Sequence, residues 1–255
     1  MDMEVVSRFQ AINLDGLSQV RLMERTDQKF VVPLRQLASL LLAVAEHYYI
    51  LEIDGERMLG YQTHYFDTEN DQLYKNHHNG KLNRYKVRKR TYLNSRTSFF
   101  EIKFKNNKRK TFKRRIETEQ DQTTLDVVER AFVRQHSPID PADLHFKSMN
   151  QFSRITLADK QFTERCTIDV NLQFKSQHLA TGLDELAIIE IKQNNHARSS
   201  ILNRHLNESG FQPTGFSKYC IGRALAENDL KQNAFKPKLK RLNKLTNPLC
   251  YHPYY

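Results

Sequence analysis

Basic side chains recur at every second position in two strand-like segments between residues 82 and 105. Residues two apart share a face of a β-strand, so each segment predicts one charged face. The first face carries Arg84, Lys86, Arg88 and Arg90, and the second carries Glu101, Lys103 and Lys105 with Phe100, Ile102 and Phe104 opposite. Because like charges on neighbouring strands repel each other, this pattern indicates a strongly anionic ligand between them.

The composition agrees with an anionic partner without identifying it. The chain has 255 residues, a formal net charge of +11 and a pI near 9.5. This charge fits nucleic acid, an acidic membrane surface or a phosphorylated small molecule. The 15 phenylalanines and 11 tyrosines argue against disorder and predict a folded core.

Cysteine, histidine and apolar patterns narrow the class of protein. Three distant cysteines, Cys166, Cys220 and Cys250, form no metal-binding pair and predict a reduced setting. None of the 10 histidines has the helical spacing with a glutamate that a zinc hydrolase needs. The N-terminus does not resemble a signal peptide, and the longest apolar run, residues 40–45, is too short to span a bilayer. We therefore expect a cytoplasmic protein, with a membrane-embedded partner left open.

The periodicities along the chain predict an α+β fold. Helical spacing of apolar residues occurs at residues 34–46, 123–135, 198–209 and 217–227, and strand patterns occur at 48–53, 58–66, 82–105, 109–119, 151–157, 165–174 and 186–193. We predict an irregular N-terminal extension over residues 1–20, a main domain over 21–227 and a basic, extended C-terminal tail over 228–255. The tail either binds an acidic membrane or a partner, or is simply solvated.

The charged faces of the later strands mix acids with bases. Arg165, Thr167, Asp169 and Asn171 fall on one face, and Glu190 and Lys192 fall on another with Ile189 and Ile191 opposite. An open antiparallel sheet with one solvated face explains any single strand of this kind. About seven such strands favour instead an antiparallel β-barrel tunnel of about eight strands, with a polar lumen and flanking helices.

A series of short motifs follows these strands in order. They are Glu24-Arg25 with Lys29-Phe30-Val31-Val32, Tyr65-Phe66-Asp67-Thr68, Arg88 with Arg90, Glu101 with Lys103, Arg165 with Asp169, Ile189-Glu190 with Lys192, and Ser217-Lys218-Tyr219. Together they resemble the VTC (vacuolar transporter chaperone) domain, the polyphosphate polymerase branch of the triphosphate tunnel metalloenzyme superfamily, over residues 20–225. The resemblance implies an antiparallel barrel around a tunnel, in agreement with the strand pattern.

The resemblance also implies an activity and a set of site residues. It implies that ATP lies in the tunnel with Mn²⁺ or Mg²⁺, and that its γ-phosphate passes to a growing inorganic polyphosphate chain while ADP leaves. Such a transfer depends mainly on positioning and charge neutralisation. The expected catalytic cations are Lys29, Arg88, Arg90, Lys103, Arg154, Arg165 and Lys218. Lys192, Ser217, Tyr219 and Glu101 are expected to bind substrate, and Glu190 is expected to bind the metal through its hard oxygens.

Some residues depart from the family's pattern. The first strand offers only Glu24 where hydrolytic relatives carry several acids, which favours transfer to a phosphate over attack by metal-activated water. Phe152 stands where the family often has tyrosine, and a hydroxyl for a phosphate oxygen is lost. The basic run at residues 108–115 either guides the product chain or forms a solvated hairpin.

Three other functions stay open at this point. One is a sensor subunit that binds polyphosphate or triphosphate without turnover, although the retained Glu190 argues against it. A second is a triphosphate hydrolase. A third is single-stranded nucleic-acid binding, which is disfavoured because the aromatic residues of the basic strands face away from the cations. A location at the inner face of a membrane, through a partner, is also open.

Overall fold

The computed structural model describes residues 3–20, 22, 25–108, 110–119, 122–176, 179–195 and 200–246. Its strands are β1 (Gln10–Ile12), β2 (Arg25–Pro33), β3 (Tyr48–Leu51), β4 (Leu59–Asp67), β5 (Arg84–Tyr92), β6 (Thr97–Lys105), β7 (Thr111–Thr118), β8 (His145–Asp159), β9 (Glu164–Ser176), β10 (Ala180–Leu183) and β11 (Leu186–Asn194). Its helices are α1 (Met3–Ser7), α2 (Leu14–Leu17), α3 (Leu34–Val44), α4 (Gln72–His78), α5 (Val127–His136), α6 (Ile201–Glu208), α7 (Lys218–Ala226) and α8 (Lys236–Leu245).

Eight of these strands form one antiparallel path in the order β2-β11-β9-β8-β4-β5-β6-β7. Three short strands extend it: β10 pairs with β9, β3 pairs with β8, and β1 runs parallel to β3. The α+β, antiparallel architecture predicted from the strand periodicity is therefore confirmed. Within the described parts of the chain, the first and last strands of the path, β2 and β7, do not pair with each other.

Alternation of side chains gives the sheet two different faces. On the outer face, α1, α3 and α6 cover an apolar layer that includes Phe30, Ile168 and Ile189, and α5 covers Phe100 and Ile102. The opposite face, here called the inner face, carries most of the charged residues of the long strands. Its apolar end is covered by α7 and α8, whose buried side chains include Tyr219, Ile221, Leu239 and Leu242. Burial of each such side chain contributes about 1.5–3 kcal/mol, so the helices are held firmly on the sheet.

A bulge in β9 changes which residues reach the inner face. Asn171 has a φ of 54°, in the left-handed region that asparagine tolerates better than most residues. It is exposed, and the register of β9 against β8 shifts nearby. The expectation that Asn171 shares a face with Asp169 was therefore wrong, because the extra residue turns Leu172 inward. Leu172 packs against the apolar end of the inner face.

The described residues near both ends of the chain contain more regular structure than the sequence pattern predicts. Residues 3–17 contain α1, β1 and α2, and Val5, Val6 and Phe9 are buried against the outer face. The prediction of an extended tail was wrong for residues 236–245, which form α8. Leu239 and Leu242 are spaced for one helical face, Pro237 lies in the first turn, and the many lysines hide this pattern from composition. In the described part of the chain, no helix is both long and apolar enough to cross a membrane.

Candidate anion-binding site

Three buried or half-buried carboxylates on the inner face are each paired with two cations. Glu101 pairs with Arg88 and Lys113, Asp169 with Arg154 and Lys218, and Glu190 with Lys29 and Lys192. The pairs join residues from seven strands and one helix that are far apart in the sequence. They concentrate most of the predicted site residues on one face of the sheet.

The first group, which we call the β5–β7 cluster, contains Lys86, Arg88, Arg90, Glu101, Lys103 and Lys113. The register of the strands brings these residues together. Arg88 of β5 lies opposite Glu101 of β6, and Lys103 of β6 lies between Lys86 of β5 and Lys113 of β7. The Nε of Arg88 donates to Oε2 of Glu101 over 2.6 Å, while Lys113 contacts Oε1. Glu101 is fully buried. Burial alone raises its pKa, but Arg88, Arg90 and Lys113 outweigh burial and lower the pKa to about 2.

Cations outnumber acids in the β5–β7 cluster. Five basic residues face one carboxylate, which gives a net charge of +4 when all are ionised. Arg88 and burial together hold the pKa of Lys103 well below its ordinary value. Burial and Arg88 also lower the pKa of Arg90 to about 10. Two unit charges about 5 Å apart repel by roughly 3 kcal/mol at an effective dielectric near 20. A multivalent anion relieves this repulsion.

The second group joins β8, β9 and the first residue of α7. Arg154 lies opposite Asp169, and its Nε and Nη2 donate to the two carboxylate oxygens over 2.6 and 2.9 Å. Lys218 contacts the same carboxylate from α7. Burial alone raises the pKa of Asp169, but Arg154 and Lys218 outweigh it and lower that pKa. The carboxylate therefore stays ionised and fixes two cations side by side.

Ser217 connects the second group to the β5–β7 cluster. It is the N-cap of α7, and its hydroxyl accepts from the backbone N–H of Cys220. The same hydroxyl accepts from Nζ of Lys86 over 3.1 Å. The helix start therefore presents a lysine, a hydroxyl and backbone donors beside the cations of β5, and each of these favours an anion.

The third group lies between β2 and β11. Nζ of Lys29 donates to Oε1 of Glu190 over 2.7 Å, and Nζ of Lys192 lies 3.8 Å from the same oxygen. Burial alone raises the pKa of Glu190, but Lys192 and Lys29 outweigh it and lower the pKa to about 2. Arg165 lies opposite Lys192 in β9. Burial, together with Arg25 and Arg154, lowers the pKa of Arg165.

Tyr219 is placed differently from the other predicted site residues. Its ring stacks on Tyr65 at a centroid distance of 4.9 Å, and its hydroxyl donates to Oδ2 of Asp67. Asp67 also accepts the backbone N–H groups of Leu73 and Tyr74 at the start of α4. The Tyr219 hydroxyl therefore joins α7 to α4 and is not directed at the cation groups. Its predicted role in substrate binding stays a prediction.

The carboxylates of the inner face are the candidate ligands for a metal ion. Within the described residues, no group of three or more His, Cys, Asp or Glu side chains could hold a metal ion. Both lysines contact the Oε1 oxygen of Glu190, so its Oε2 oxygen is the one placed to meet a cation. Mg²⁺ and Mn²⁺ accept one or two carboxylates together with water and phosphate oxygens. The donor set therefore fits a divalent ion that arrives with a phosphorylated ligand.

Three contributors were not among the predicted site residues: Lys86, Lys113 and Asp169. Lys86 and Asp169 share the strand parity of their predicted neighbours, so alternation alone could have added them. Lys113 lies in the dense basic run where parity is hard to read, and its partner Glu101 is fixed only by the pairing of β6 with β7. Glu24, quoted in the first motif, lies outside the described residues.

The fold and the site together define an α+β protein with one mostly antiparallel sheet, on whose inner face cations surround three carboxylates. Residues 24–227 match the family model described as the VTC domain, and the chain belongs to this family. A search of curated proteins finds no significant match.

A search of solved structures finds similar chains at low sequence identity. A putative adenylyl cyclase from Hippeastrum with a dominant triphosphatase activity has 12% identity and a TM-score of 0.49, covering 79% of this chain and 96% of that one. The PH1819 protein of Pyrococcus horikoshii has 13% identity and a TM-score of 0.44, covering 78% and 97%. A putative adenylate cyclase from Vibrio parahaemolyticus has 11% identity and a TM-score of 0.42, covering 85% and 97%.

Proposed function

We propose that this chain transfers the γ-phosphate of ATP to a growing inorganic polyphosphate chain held on its inner face, with the help of Mn²⁺ or Mg²⁺. The observation that carries the proposal is the β5–β7 cluster, where five cations lie on the same face of the sheet as a single carboxylate, Glu101. An anion with several phosphates is the ligand class that matches this charge. Membership of the VTC domain family supports the same ligand class.

The cations divide the work of binding. Arg88, Arg90 and Lys103 neutralise the phosphates that lie along β5 and β6. Arg154 and Lys218 bind the next part of the anion, and the Ser217 hydroxyl at the start of α7 donates to a phosphate oxygen. Lys29, Lys192 and Arg165, in the third group, bind the last part of the anion. When the anion binds, its phosphate oxygens replace the carboxylates as partners of the cations or join them. The cations therefore keep charged partners throughout binding.

The transfer itself needs little covalent chemistry from the protein. An oxygen of the terminal phosphate of the acceptor chain forms a bond to the γ-phosphorus, the bond from the γ-phosphorus to the β–γ bridging oxygen breaks, and ADP leaves with that oxygen. The cations neutralise charge on the transferred group and hold the two ends in line. Glu190 would hold the divalent ion, which supplies further charge neutralisation when bound.

A second candidate is a binding protein that holds polyphosphate without turnover. The observation that favours it is that all three carboxylates, Glu190 included, are already paired with two cations each. Carboxylates in this state already have cationic partners and need no metal ion as a counterion. In that case the inner face serves as a sensor of polyphosphate.

The experiment that separates these functions measures three products. The purified chain is incubated with ATP, Mn²⁺ and a short polyphosphate primer, and polymer, ADP and inorganic phosphate are followed together. Polymer growth that matches ADP release supports the transferase. ADP matched by inorganic phosphate indicates a hydrolase. Calorimetric binding of polyphosphate without turnover indicates the sensor, and absence of both binding and turnover refutes the proposal.

Substitutions on the inner face test whether turnover depends on its cations. Arg88→Ala and Lys218→Ala should each abolish turnover, and each variant should still fold because Lys113 or Arg154 continues to pair with the buried carboxylate. Arg114→Ala is the matched control, because Arg114 lies on the exposed opposite face of β7. Unchanged turnover in the Arg88 and Lys218 variants would refute the assignment of the site.

A further inference from the structure

The helix α8 carries a row of cations that the proposed reaction does not use. It holds Lys236, Lys238, Lys240, Arg241 and Lys244, and it contains no acidic residue. Over residues 228–246 the sequence has six basic residues and one acidic residue, for a net charge of +5. The helix lies outside residues 24–227, so it is a feature of this chain beyond the matched family domain.

Packing fixes which side of α8 faces outward. Leu239 and Leu242 are buried against the apolar end of the inner face, while Lys236, Lys240 and Lys244 are exposed. These three lysines are spaced four residues apart and line one side of the helix over about 12 Å. Like charges at this spacing repel each other modestly, and an anionic surface opposite the row would relieve that repulsion.

The start of α8 is anchored to the domain. Phe235 packs edge-on against Tyr74 and His78, with ring centroids 5.8 and 5.1 Å apart. The backbone N–H of Ala234 donates to Nε2 of His78 over 3.0 Å. The row of lysines is therefore held in a fixed orientation relative to the sheet, and its charge is available without a folding cost.

We propose that the exposed lysine row of α8 docks the domain onto the anionic surface of a phospholipid membrane. Clusters of four to eight Lys and Arg residues on an amphipathic helix suit anionic lipid headgroups. The apolar side of α8 is occupied by the core, so the contact is electrostatic and peripheral, without insertion into the bilayer.

The chemistry of the row favours a lipid surface over a protein partner. Protein interfaces are depleted in lysine and enriched in aromatic residues and arginine. The exposed row contains lysine only, which is a hydrated point charge with little directional preference. A diffuse layer of negative headgroups matches such charges, and each lysine near it contributes about a fivefold gain in binding.

Vesicle sedimentation tests the inference. The full chain is mixed with phosphatidylcholine vesicles, with and without phosphatidylserine, at low and high salt. We expect binding only to the phosphatidylserine vesicles and release by salt. The variant with Lys236→Ala, Lys240→Ala and Lys244→Ala should bind about 100-fold more weakly.

The control variant removes the same number of positive charges, three, from residues outside α8. Arg35, Lys160 and Arg204 are exposed, and α3 and α6 lie on the outer face of the sheet. Their triple replacement by alanine should leave vesicle binding within about twofold of the wild type. Circular dichroism and thermal melting establish that both variants are folded.

Three results would overturn the inference. They are failure of the wild type to bind phosphatidylserine vesicles, equal binding by the α8 variant, and equal losses in the two triple variants. Loss of polyphosphate binding by the α8 variant, without any vesicle binding by the wild type, would assign the row to the polyanion instead. The inference is independent of the proposed reaction, since ATP turnover without vesicles should be the same in the α8 variant and the wild type.

Discussion

Arg154 and Asp169 face each other across β8 and β9, and the guanidinium donates to both carboxylate oxygens over 2.6 and 2.9 Å. Asp169 also contacts Lys218, so one buried carboxylate pairs with two cations and leaves the group with a net positive charge. Glu101 and Glu190 are also each paired with two cations. The ligand-free protein therefore carries internal counterions in the places where phosphates of a ligand are expected to bind.

Replacing Asp169 by Asn should destabilise the ligand-free protein strongly. Removing one partner of a buried ion pair costs about 3–5 kcal/mol, because the remaining charges stay buried without compensation. Added tripolyphosphate should restore much of this stability, since its charge takes the place of the carboxylate. Urea unfolding with and without tripolyphosphate measures both effects.

The exposed Glu208→Gln exchange serves as the control for Asp169 and should change the free energy of unfolding by less than about 0.5 kcal/mol. If tripolyphosphate stabilises Asp169→Asn no more than it stabilises the wild type, the carboxylate is not a stand-in for phosphate.

Strand alternation was sufficient to place many of the charged residues. Arg88, Lys103 and Glu190 were predicted from parity and motifs, and all three lie on the inner face because their strands are long and regular. The α+β class followed from the same periodicity. Local sequence carries this information, since the side-chain direction repeats every two residues.

The pairing of those residues could not be predicted in the same way. Arg154 meets Asp169 only because β8 and β9 pair in one register, and Lys113 meets Glu101 only because β7 is the edge strand beside β6. Register depends on contacts across the whole sheet, which no local pattern contains. The bulge at Asn171 was missed because it changes the backbone at a single residue. Helix α8 was missed because its many lysines obscure the helical spacing of its leucines.

Lys103 should couple polyphosphate binding to the uptake of up to about one proton. Arg88 and burial lower its pKa in the ligand-free protein, and bound phosphates should raise it again. Affinity should therefore fall as the pH rises, and Lys103→Met should weaken this dependence. Calorimetry in two buffers with different ionisation enthalpies counts the protons, and equal counts in the wild type and the variant would contradict the coupling.

The same lowered pKa makes a prediction for stability. Between the folded pKa of Lys103 and its higher unfolded value, the unfolded chain binds more protons, so the free energy of unfolding rises with pH in this window. The slope contributed by this one group is at most about 1.4 kcal/mol per pH unit. Urea unfolding over a pH series should show a flatter profile for Lys103→Met than for the wild type.

Glu190 should matter for metal binding only when a phosphorylated ligand is present. Mn²⁺ alone should bind weakly, because one carboxylate is a poor site, and tripolyphosphate should tighten binding by completing the ligand shell. Glu190→Gln should then weaken Mn²⁺ binding about tenfold or more. The loss of the free Mn²⁺ signal in electron paramagnetic resonance measures this. Glu117→Gln, on the exposed edge strand β7, is the control, and equal effects of the two exchanges would remove Glu190 from the metal site.

Tyr219→Phe should affect stability more than ligand binding. The exchange removes a donor to the buried carboxylate of Asp67, for which a loss of about 2 kcal/mol is expected. The KM for ATP should change less than about twofold, because the hydroxyl is not directed at the cation groups. Tyr85→Phe, on the half-exposed outer side of β5, is the control. A tenfold loss of polyphosphate affinity without loss of stability would show instead that Tyr219 binds substrate.

The edge strand β7 offers the sharpest comparison, because Lys113 and Arg114 are adjacent cations on opposite faces. Lys113 contacts the buried carboxylate of Glu101 and belongs to the β5–β7 cluster. In Lys113→Ala, a phosphate loses one cation, and Arg88 is bound more tightly by Glu101 because it no longer shares that carboxylate. We expect polyphosphate affinity to fall about tenfold, since one charged hydrogen bond contributes about 1.5–3 kcal/mol. Arg114→Ala carries the same change in net charge and should alter affinity by less than about twofold. Calorimetric titration with polyphosphate distinguishes them, and equal losses would mean that the outer face also binds the polyanion.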